Sequence, residues 1–450
     1  MIEEQERPKG LMDWLKESVT VKLAFISVLV LVLLIPSSLV ENLINERAAR
    51  QEDMMKDVSD KWSGSQLIQG PVLIIPYKKQ VKYIDTANRE TSKDAIENLY
   101  ILPDNLHIKA VLVTQILHRG IFDVAVYNTR VEVSGNFTKA DLNALSLSPD
   151  QLFPDKARIM FSISDLKGLK TNPVVKVANQ TPAAEPAFND DAVFDNGLQA
   201  AVNLSGLTNG EVPFNYTLDL KGSEELNFLH LGKTTDVAAS GDWSTPSFGG
   251  RYLPDERKVD KNGFSAKWHM LYYNRPFPQQ WTGDNTQLKN QKKNEVATFG
   301  LKLRLPVDQY QKTTRTSKYS LLIIMLTFIS LFLTELIRKQ RIHVFNYVLI
   351  GASMIIYYSL LLSFSEQIGF NAAYVVASVA TIGLIGTFIW SLLKNKTAAL
   401  LFALILAVFY TFIFVIIQLE DLALLVGSIA LFMIIGALMY FSRKINWDRN

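Results

Sequence analysis

Six stretches of the chain are long and apolar enough to cross a lipid bilayer as helices. A helix of about 20 apolar residues spans the hydrocarbon core, and about 17 can suffice. A buried helix of a soluble protein would show a polar face with a period of about 3.6 residues, and these stretches show none. We therefore predict six transmembrane helices, at Leu23–Val40, Tyr319–Ile337, Val344–Ser365, Gln367–Leu393, Thr397–Leu419 and Leu422–Ser442.

The long polar stretch between the first two predicted spans, residues 41–318, has the pattern of a β domain. Segments such as LHIKAVLVTQIL, GIFDVAVYNTRVEV and GFSAKWHMLYY alternate apolar and polar positions. Turn residues separate them, as in all-β sandwiches and barrels, and NFTKADLNALSL reads as a short capped helix. The predicted fold class is an α+β membrane protein, in which a β-rich, sandwich-like domain is inserted between a first transmembrane helix and a bundle of five transmembrane helices.

Basic residues in the short connections predict the orientation of the spans, because Lys and Arg are retained on the cytoplasmic side. All of those that flank the spans fall on one face. We therefore predict a multi-pass membrane protein with both termini in the cytoplasm and residues 41–318 on the opposite side of the membrane. The basic residues are Arg7, Lys9, Lys16, Lys22, Arg338, Lys339, Arg341, Lys394, Lys396, Arg443, Lys444 and Arg449.

The first apolar run could be a cleaved signal peptide or an uncleaved signal anchor. Its apolar stretch is long for a signal peptide, and no clear Ala-x-Ala site follows it. The polar residues ENLINERAARQEDMMKDVSDKW read as a helix that continues from the span. The anchor is favoured, and the predicted organisation is a tail (1–22), the anchor (23–40), the β-rich domain with a juxtamembrane helix (41–318), five spans (319–442) and a tail (443–450).

Composition and motifs argue against enzymatic chemistry. The chain has no cysteine, so disulfides, thiol nucleophiles and cysteine-based metal sites are excluded. Acidic and basic residues balance within 41–318, which gives no electrostatic preference for nucleic acid. No phosphate-binding loop, dinucleotide fingerprint or nucleophile elbow occurs. The five histidines form no His-Glu-x-x-His motif. We predict no catalytic residue, no cofactor and no metal ligand.

Glu335 is a carboxylate inside a predicted span, which is a functional hint by default. Arg338 and Lys339 follow it by three and four residues, a spacing that places all three on one face of a helix. The favoured interpretation is an ion pair at the cytoplasmic interface with these two basic side chains. A proton relay or ion site would need polar partners at the middle of the bilayer, which are scarce.

Several motifs along the chain resemble the CreD family of bacterial inner-membrane proteins. The most detailed are PVDQYQKTTRTSKYSLLIIMLTFISLFLTE and RIHVFNYVLIGASMIIYYSLLLSFSEQIGFNAAYVVAS, and GSQLIQGPVLIIPY, SFGGRYLP and INWD match as well. The resemblance implies a bacterial inner-membrane protein with residues 41–318 in the periplasm and a role in cell-envelope integrity. It also implies links to a two-component regulatory response and to envelope or β-lactam stress. It carries over no site residue. Glu335, His343 and Glu366 lie in the matched membrane block as candidates of unknown role.

Two hypotheses of function follow. The first is a non-enzymatic envelope protein whose periplasmic domain contacts an unknown periplasmic or inner-membrane protein, with membrane lipid as its other partner. The alternative is a transporter or channel formed by the five C-terminal spans. Ionisable residues at the middle of the membrane or a broken helix would favour the alternative.

Overall fold

The computed structural model divides the chain into two compact units. The helical unit comprises Met1–Glu52 and Val307–Asn450, and the β unit comprises Asp53–Pro306. The predicted limits at residues 41 and 318 refer to the membrane surface and remain predictions. The structure describes residues 19–84, 90–188, 192–205, 210–305, 309–338, 340, 342–419 and 422–442.

The β unit is built from two sheets. The described strands are β1 (Gln66–Ile84), β2 (Glu90–Ile101), β3 (Asn105–Arg119), β4 (Phe122–Phe137), β5 (Ala157–Ile163), β6 (Val174–Val177), β7 (Glu185–Pro186), β8 (Gly197–Val202), β9 (Val212–Ser223), β10 (Glu225–Leu229), β11 (Thr234–Gly241), β12 (Pro246–Gly250), β13 (Glu256–Asp260), β14 (Gly263–Leu271), β15 (Gln280–Thr282) and β16 (Thr298–Leu303). The nine-stranded sheet has the order β12-β16-β10-β1-β5-β8-β7, with β2 beside β1 and β15 beside β2. The seven-stranded sheet has the order β13-β14-β11-β3-β4-β9-β6.

The inner faces of the two sheets pack against each other and form one hydrophobic core. Phe161 of β5 stacks on Tyr216 of β9 with ring centroids 4.3 Å apart. Trp268 of β14 meets Phe299 of β16 at 5.7 Å. Along β3 and β14 buried and exposed positions alternate, because successive side chains point to opposite faces of a strand. The predicted β-rich domain is confirmed, and its sheets pack as a sandwich.

The helical unit contains the described helices that follow residue 307 and the first part of a helix that continues into the β unit. Helix α1 runs without interruption from Val19 to Trp62, which confirms the predicted helical continuation of the first span. A short helix, α2 (Gln291–Ala297), lies in the β unit. The others are α3 (Gln309–Lys318), α4 (Ser320–Arg338), α5 (Val344–Ile368), α6 (Phe370–Leu393), α7 (Lys396–Gln418) and α8 (Ala423–Ser442).

The predicted number of spans is matched in part. Four described helices, α1, α5, α6 and α7, are long and apolar enough to cross a membrane. Helices α3 and α4 count as a fifth only as a pair, and they are bent by 42° at their junction. The apolar part of α8 that the structure describes, Leu424–Gly436, is shorter than a full span. Five C-terminal spans therefore remain a prediction.

The predicted short helix within NFTKADLNALSL is wrong. The first two residues of this segment end β4, and turns follow at residues 142–146. The Asp141 carboxylate accepts a hydrogen bond from the Ala144 backbone N–H, and the Asp141 backbone N–H donates to Gln280. Asp and Asn side chains that bond to nearby backbone compete with helix formation, so a turn forms instead.

Candidate functional site

Glu335 lies at the centre of a buried polar cluster in the helical unit. Lys22 of α1 forms an ion pair with its carboxylate. The Tyr347 hydroxyl of α5 donates to the same carboxylate at 3.1 Å. Lys22 also donates to the Ile342 carbonyl oxygen at 2.8 Å, and its ammonium lies 5.5 Å from the centre of the Tyr347 ring. The cluster therefore joins residues from α1, α4 and α5.

Glu335 has described partners that the sequence spacing did not indicate, and the predicted pair with Arg338 and Lys339 stays a prediction. Sequence spacing pointed to Arg338 and Lys339, whereas the described contacts are with Lys22 and Tyr347. Lys339 and the side chain of Arg338 lie outside the described part of the structure. Glu335 is only 8% exposed, and a buried carboxylate is stable only when it is paired and hydrogen-bonded. Lys22 provides the ion pair, and Lys22 and Tyr347 both donate hydrogen bonds to this carboxylate.

Close packing brings α1 near enough for this contact. Gly351 of α5 lies under Leu33 of α1: a Cβ atom at Gly351 would come within 2.4 Å of a Leu33 methyl group. Small residues let helices in membranes approach closely. Further along α1, the hydroxyl oxygens of Ser37 and Ser320 lie 2.9 Å apart. The ion pair, the glycine contact and the serine pair together fix α1 on the surface formed by α4 and α5.

The other two candidate residues lie apart from each other. The His343 side chain caps α5 by accepting a hydrogen bond from the Phe345 backbone N–H. Glu366 lies in the last turn of the same helix, roughly 34 Å away at about 1.5 Å per residue. It accepts a hydrogen bond from the Tyr310 hydroxyl at 2.8 Å, and the Arg47 Nε atom lies 3.8 Å from it. The three candidates do not form one site: Glu335 and Glu366 belong to separate polar clusters.

A third polar cluster lies on the outer face of the seven-stranded sheet. His107, Asp236 and His269 occupy directly opposed positions on β3, β11 and β14. The Asp236 carboxylate holds both imidazoles: one oxygen is 3.2 Å from His107 Nδ1 and the other is 2.6 Å from His269 Nδ1. The hydrogen bond with Asp236 raises the pKa of His269 above its ordinary value of 6.5. Sequence analysis missed this cluster because the three strands are far apart in the chain.

Two adjacent concave regions lie on this face, and both are lined by Lys109 and Glu132. The first, about 540 Å³, contains His107, Asp236 and His269. The second, about 620 Å³, continues along β3 past Val111 and Val113. Acidic and basic side chains line both. Among the residues that the structure describes, no three His, Asp or Glu side chains are arranged to hold a metal ion.

One histidine is buried in the β unit. His230 is within hydrogen-bond distance of the Thr235 hydroxyl, at 3.0 Å, and of the Leu271 carbonyl oxygen, at 3.2 Å. Burial lowers the pKa of His230 to about 4, so this imidazole is neutral at ordinary pH. The second of these contacts connects the buried imidazole to the last residue of β14.

Comparisons with known proteins find sequence similarity over almost the whole length of the chain. The sequence model of a family described as "Inner membrane protein CreD" matches residues 18–448. The "Inner membrane protein CreD" of Escherichia coli (strain K12) is 28% identical over 423 residues, which cover 93% of this chain and 91% of that protein. The match includes α1, the β unit and the C-terminal helices. The chain therefore belongs to the CreD family of inner membrane proteins.

Proposed function

We propose that this protein supports the integrity of the bacterial cell envelope under stress, including β-lactam stress, and that it acts by contact. In this proposal the β unit lies in the periplasm and binds another envelope protein without catalysing a reaction. Family membership supports the envelope location. The observation that carries the contact mechanism is the outer face of the seven-stranded sheet.

That face has the features of a polar contact surface. Its two concave regions run side by side along β3 and carry both signs of charge, among them Lys109, Glu132 and Arg130. Val111 and Val113 of the same strand are 44% and 60% exposed. Exposed apolar side chains surrounded by charged ones are typical of protein–protein contact sites. Complementary charges add specificity to such a contact.

The chain enters the β unit through a helix whose last residues pack within that unit. The last residues of α1 are held on the β unit: Ser59 donates to Glu224 at 3.2 Å, and Arg119 pairs with Asp57. The Trp62 ring lies 5.3 Å from the Lys221 ammonium. Helix α1 is continuous from Val19 to Trp62, so the chain is helical where it passes from the helical unit to the β unit.

A photo-crosslinking amino acid can test this proposal in cells under envelope stress. Placed at Val113, it should give a discrete adduct with one other protein. The control is Ile96 of β2, which is 69% exposed on the other sheet and should not give that adduct. Lys109→Glu should lower both adduct yield and stress tolerance at a normal protein level. If Val113 and Ile96 give the same crosslinked adducts, the outer face of the seven-stranded sheet is not the contact surface.

The alternative function, transport through the C-terminal helices, is favoured by two observations. Glu335 is an ionisable group buried among helices, and α3 and α4 form a bent pair. Buried charges and broken helices are both found at transport sites. Transport would make Glu335 irreplaceable, so a Lys22→Met/Glu335→Gln double variant with a normal protein level would lose function completely. The contact mechanism expects this double variant to keep stress tolerance.

A further inference from the structure

A group of hydroxyl side chains lies inside the helical unit, away from the clusters described above. Tyr357 and Tyr358 of α5, Ser378 of α6 and Tyr410 of α7 are each at most 7% exposed. Within the described part of the chain the hydroxyl groups of Tyr358 and Tyr410 have no hydrogen-bond partner, whereas that of Tyr357 interacts with the hydroxyl groups of Ser378 and Tyr374. Tyr358 precedes the end of α5 by ten residues, about 15 Å along the helix. The group therefore lies well inside the apolar length of these helices.

The tyrosine rings contact one another and form one cluster. The Tyr357 ring centre is 4.9 Å from that of Tyr358, 4.7 Å from that of Tyr410 and 6.0 Å from that of Tyr374. All three contacts are edge-to-face. The Tyr374 hydroxyl, by contrast, donates to the Tyr410 carbonyl oxygen at 2.7 Å. Three helices thus contribute hydroxyl groups to a single place, which we name the tyrosine cluster: Tyr357, Tyr358, Tyr374, Ser378 and Tyr410.

Packing alone does not account for these residue types. Phenylalanine would fill the same space without a polar atom, and a buried hydroxyl that forms no hydrogen bond is destabilising. The hydroxyl groups of Tyr358 and Tyr410 each carry this cost. Native proteins normally satisfy buried polar groups, and where the protein offers no partner, ordered water supplies it.

We infer that the tyrosine cluster is a binding site for water molecules inside the membrane-embedded bundle. Hydroxyl groups both donate and accept hydrogen bonds and carry no charge, which suits a neutral guest. From Val344 to Gln418 the only charged residues are Glu366, Lys394 and Lys396, which lie at or near helix ends. The site therefore offers no counter-ion for a charged ligand. This inference is independent of the contact mechanism.

Hydroxyl-radical footprinting of the full chain in lipid nanodiscs tests the inference, because radicals generated from bound water label adjacent side chains even when these are buried. Tyr357, Tyr358 and Tyr410 should be labelled faster than Tyr127, an equally buried tyrosine whose hydroxyl donates to the Glu225 carbonyl oxygen. Phe402 of α7, 1% exposed, is the control for access to the helical unit. Labelling of the cluster tyrosines at the Tyr127 rate would overturn the inference.

Thermal unfolding of Tyr410→Phe and Tyr358→Phe is the second measurement. Water held by several hydroxyls loses a partner in each variant, so the Tm should fall by about 2–4 °C. Phe402→Leu provides the comparison for a packing change without a hydroxyl. If the Tm of Tyr410→Phe and of Tyr358→Phe equals or exceeds that of the parent protein, these hydroxyl groups bind no water and the inference is wrong.

Discussion

Lys22 and Glu335 are 313 positions apart in the sequence and form an ion pair in the helical unit. The pair connects α1, the first helix in the described part of the chain, to the helices that follow the β unit. Burial makes the two charges interdependent, because loss of either leaves the other in surroundings of low polarity. The contact therefore matters more for the attachment of α1 than an exposed ion pair would.

Removing one partner of this pair should destabilise the helical unit. We expect Lys22→Met to lower the free energy of unfolding by about 2 kcal/mol or more, because it leaves the Glu335 carboxylate with only the Tyr347 hydroxyl among the described contacts. Thermal unfolding in detergent measures the loss. The exposed Lys318 is the control, and Lys318→Met should change little. The double variant Lys22→Met/Glu335→Gln should recover part of the loss; full additivity of the two single changes would contradict a direct pair.

The contact between Gly351 and Leu33 predicts a steric effect. Gly351→Val should push α1 away from α5 and cost about 1–3 kcal/mol, whereas Gly351→Ala is milder because a Leu33 methyl group can turn aside. Gly383→Val is the control, since Gly383 has open space around it. The chain has no cysteine, so a Ser37→Cys/Ser320→Cys pair reports the helix separation through disulfide formation. Undiminished disulfide formation in Gly351→Val would contradict the packing.

The Asp236 contact predicts a pH dependence for the β unit. The pKa of His269 is raised in the folded protein. Its stabilising contribution is therefore complete below the unfolded pKa of about 6.5 and is lost as the pH rises through the higher folded pKa. Histidine hydrogen-exchange mass spectrometry should report a midpoint for His269 above 6.5. Asp236→Asn should return it toward 6.5 while His230 stays low; an unchanged midpoint would mean that Asp236 is not the cause.

The predicted topology can be tested by labelling single cysteines in spheroplasts. Ser265→Cys, exposed on β14, should react with a membrane-impermeant maleimide. Thr397→Cys, exposed at the start of α7, should react only after the membrane is permeabilised. The reason is the clustering of Lys394 and Lys396 with the other basic residues on the cytoplasmic side. Labelling of position 397 in intact spheroplasts would reverse the predicted orientation.

Periodicity in the sequence predicted the β unit and the continuous first helix because both are local patterns. The partners of Glu335 and Asp236 were not predictable in the same way. Helical spacing identifies neighbours three or four residues apart, so it pointed to Arg338 rather than to Lys22. The alignment of His107 with Asp236 depends on parallel pairing of β3 and β11, which no local pattern specifies.

The burial of two threonines in α3 was also not predictable from the sequence. QYQKTTRTSK is polar and reads as an exposed junction, yet Thr313 and Thr316 are buried. Their hydroxyls donate to carbonyl oxygens of their own helix, those of Gln309 and Lys312. Local hydrogen bonds of this kind make threonine compatible with a buried helix face.

The central claim is that the β unit acts by contact and that its helical connection through α1 matters. Insertion of a flexible linker of about 20 residues between Gln51 and Glu52 of α1 tests it most directly. The same linker between Lys261 and Asn262, in the turn that joins β13 and β14, is the control for insertion itself. The account predicts that the α1 insertion impairs envelope-stress tolerance at a normal protein level and that the turn insertion does not. Full tolerance with the α1 insertion would contradict it.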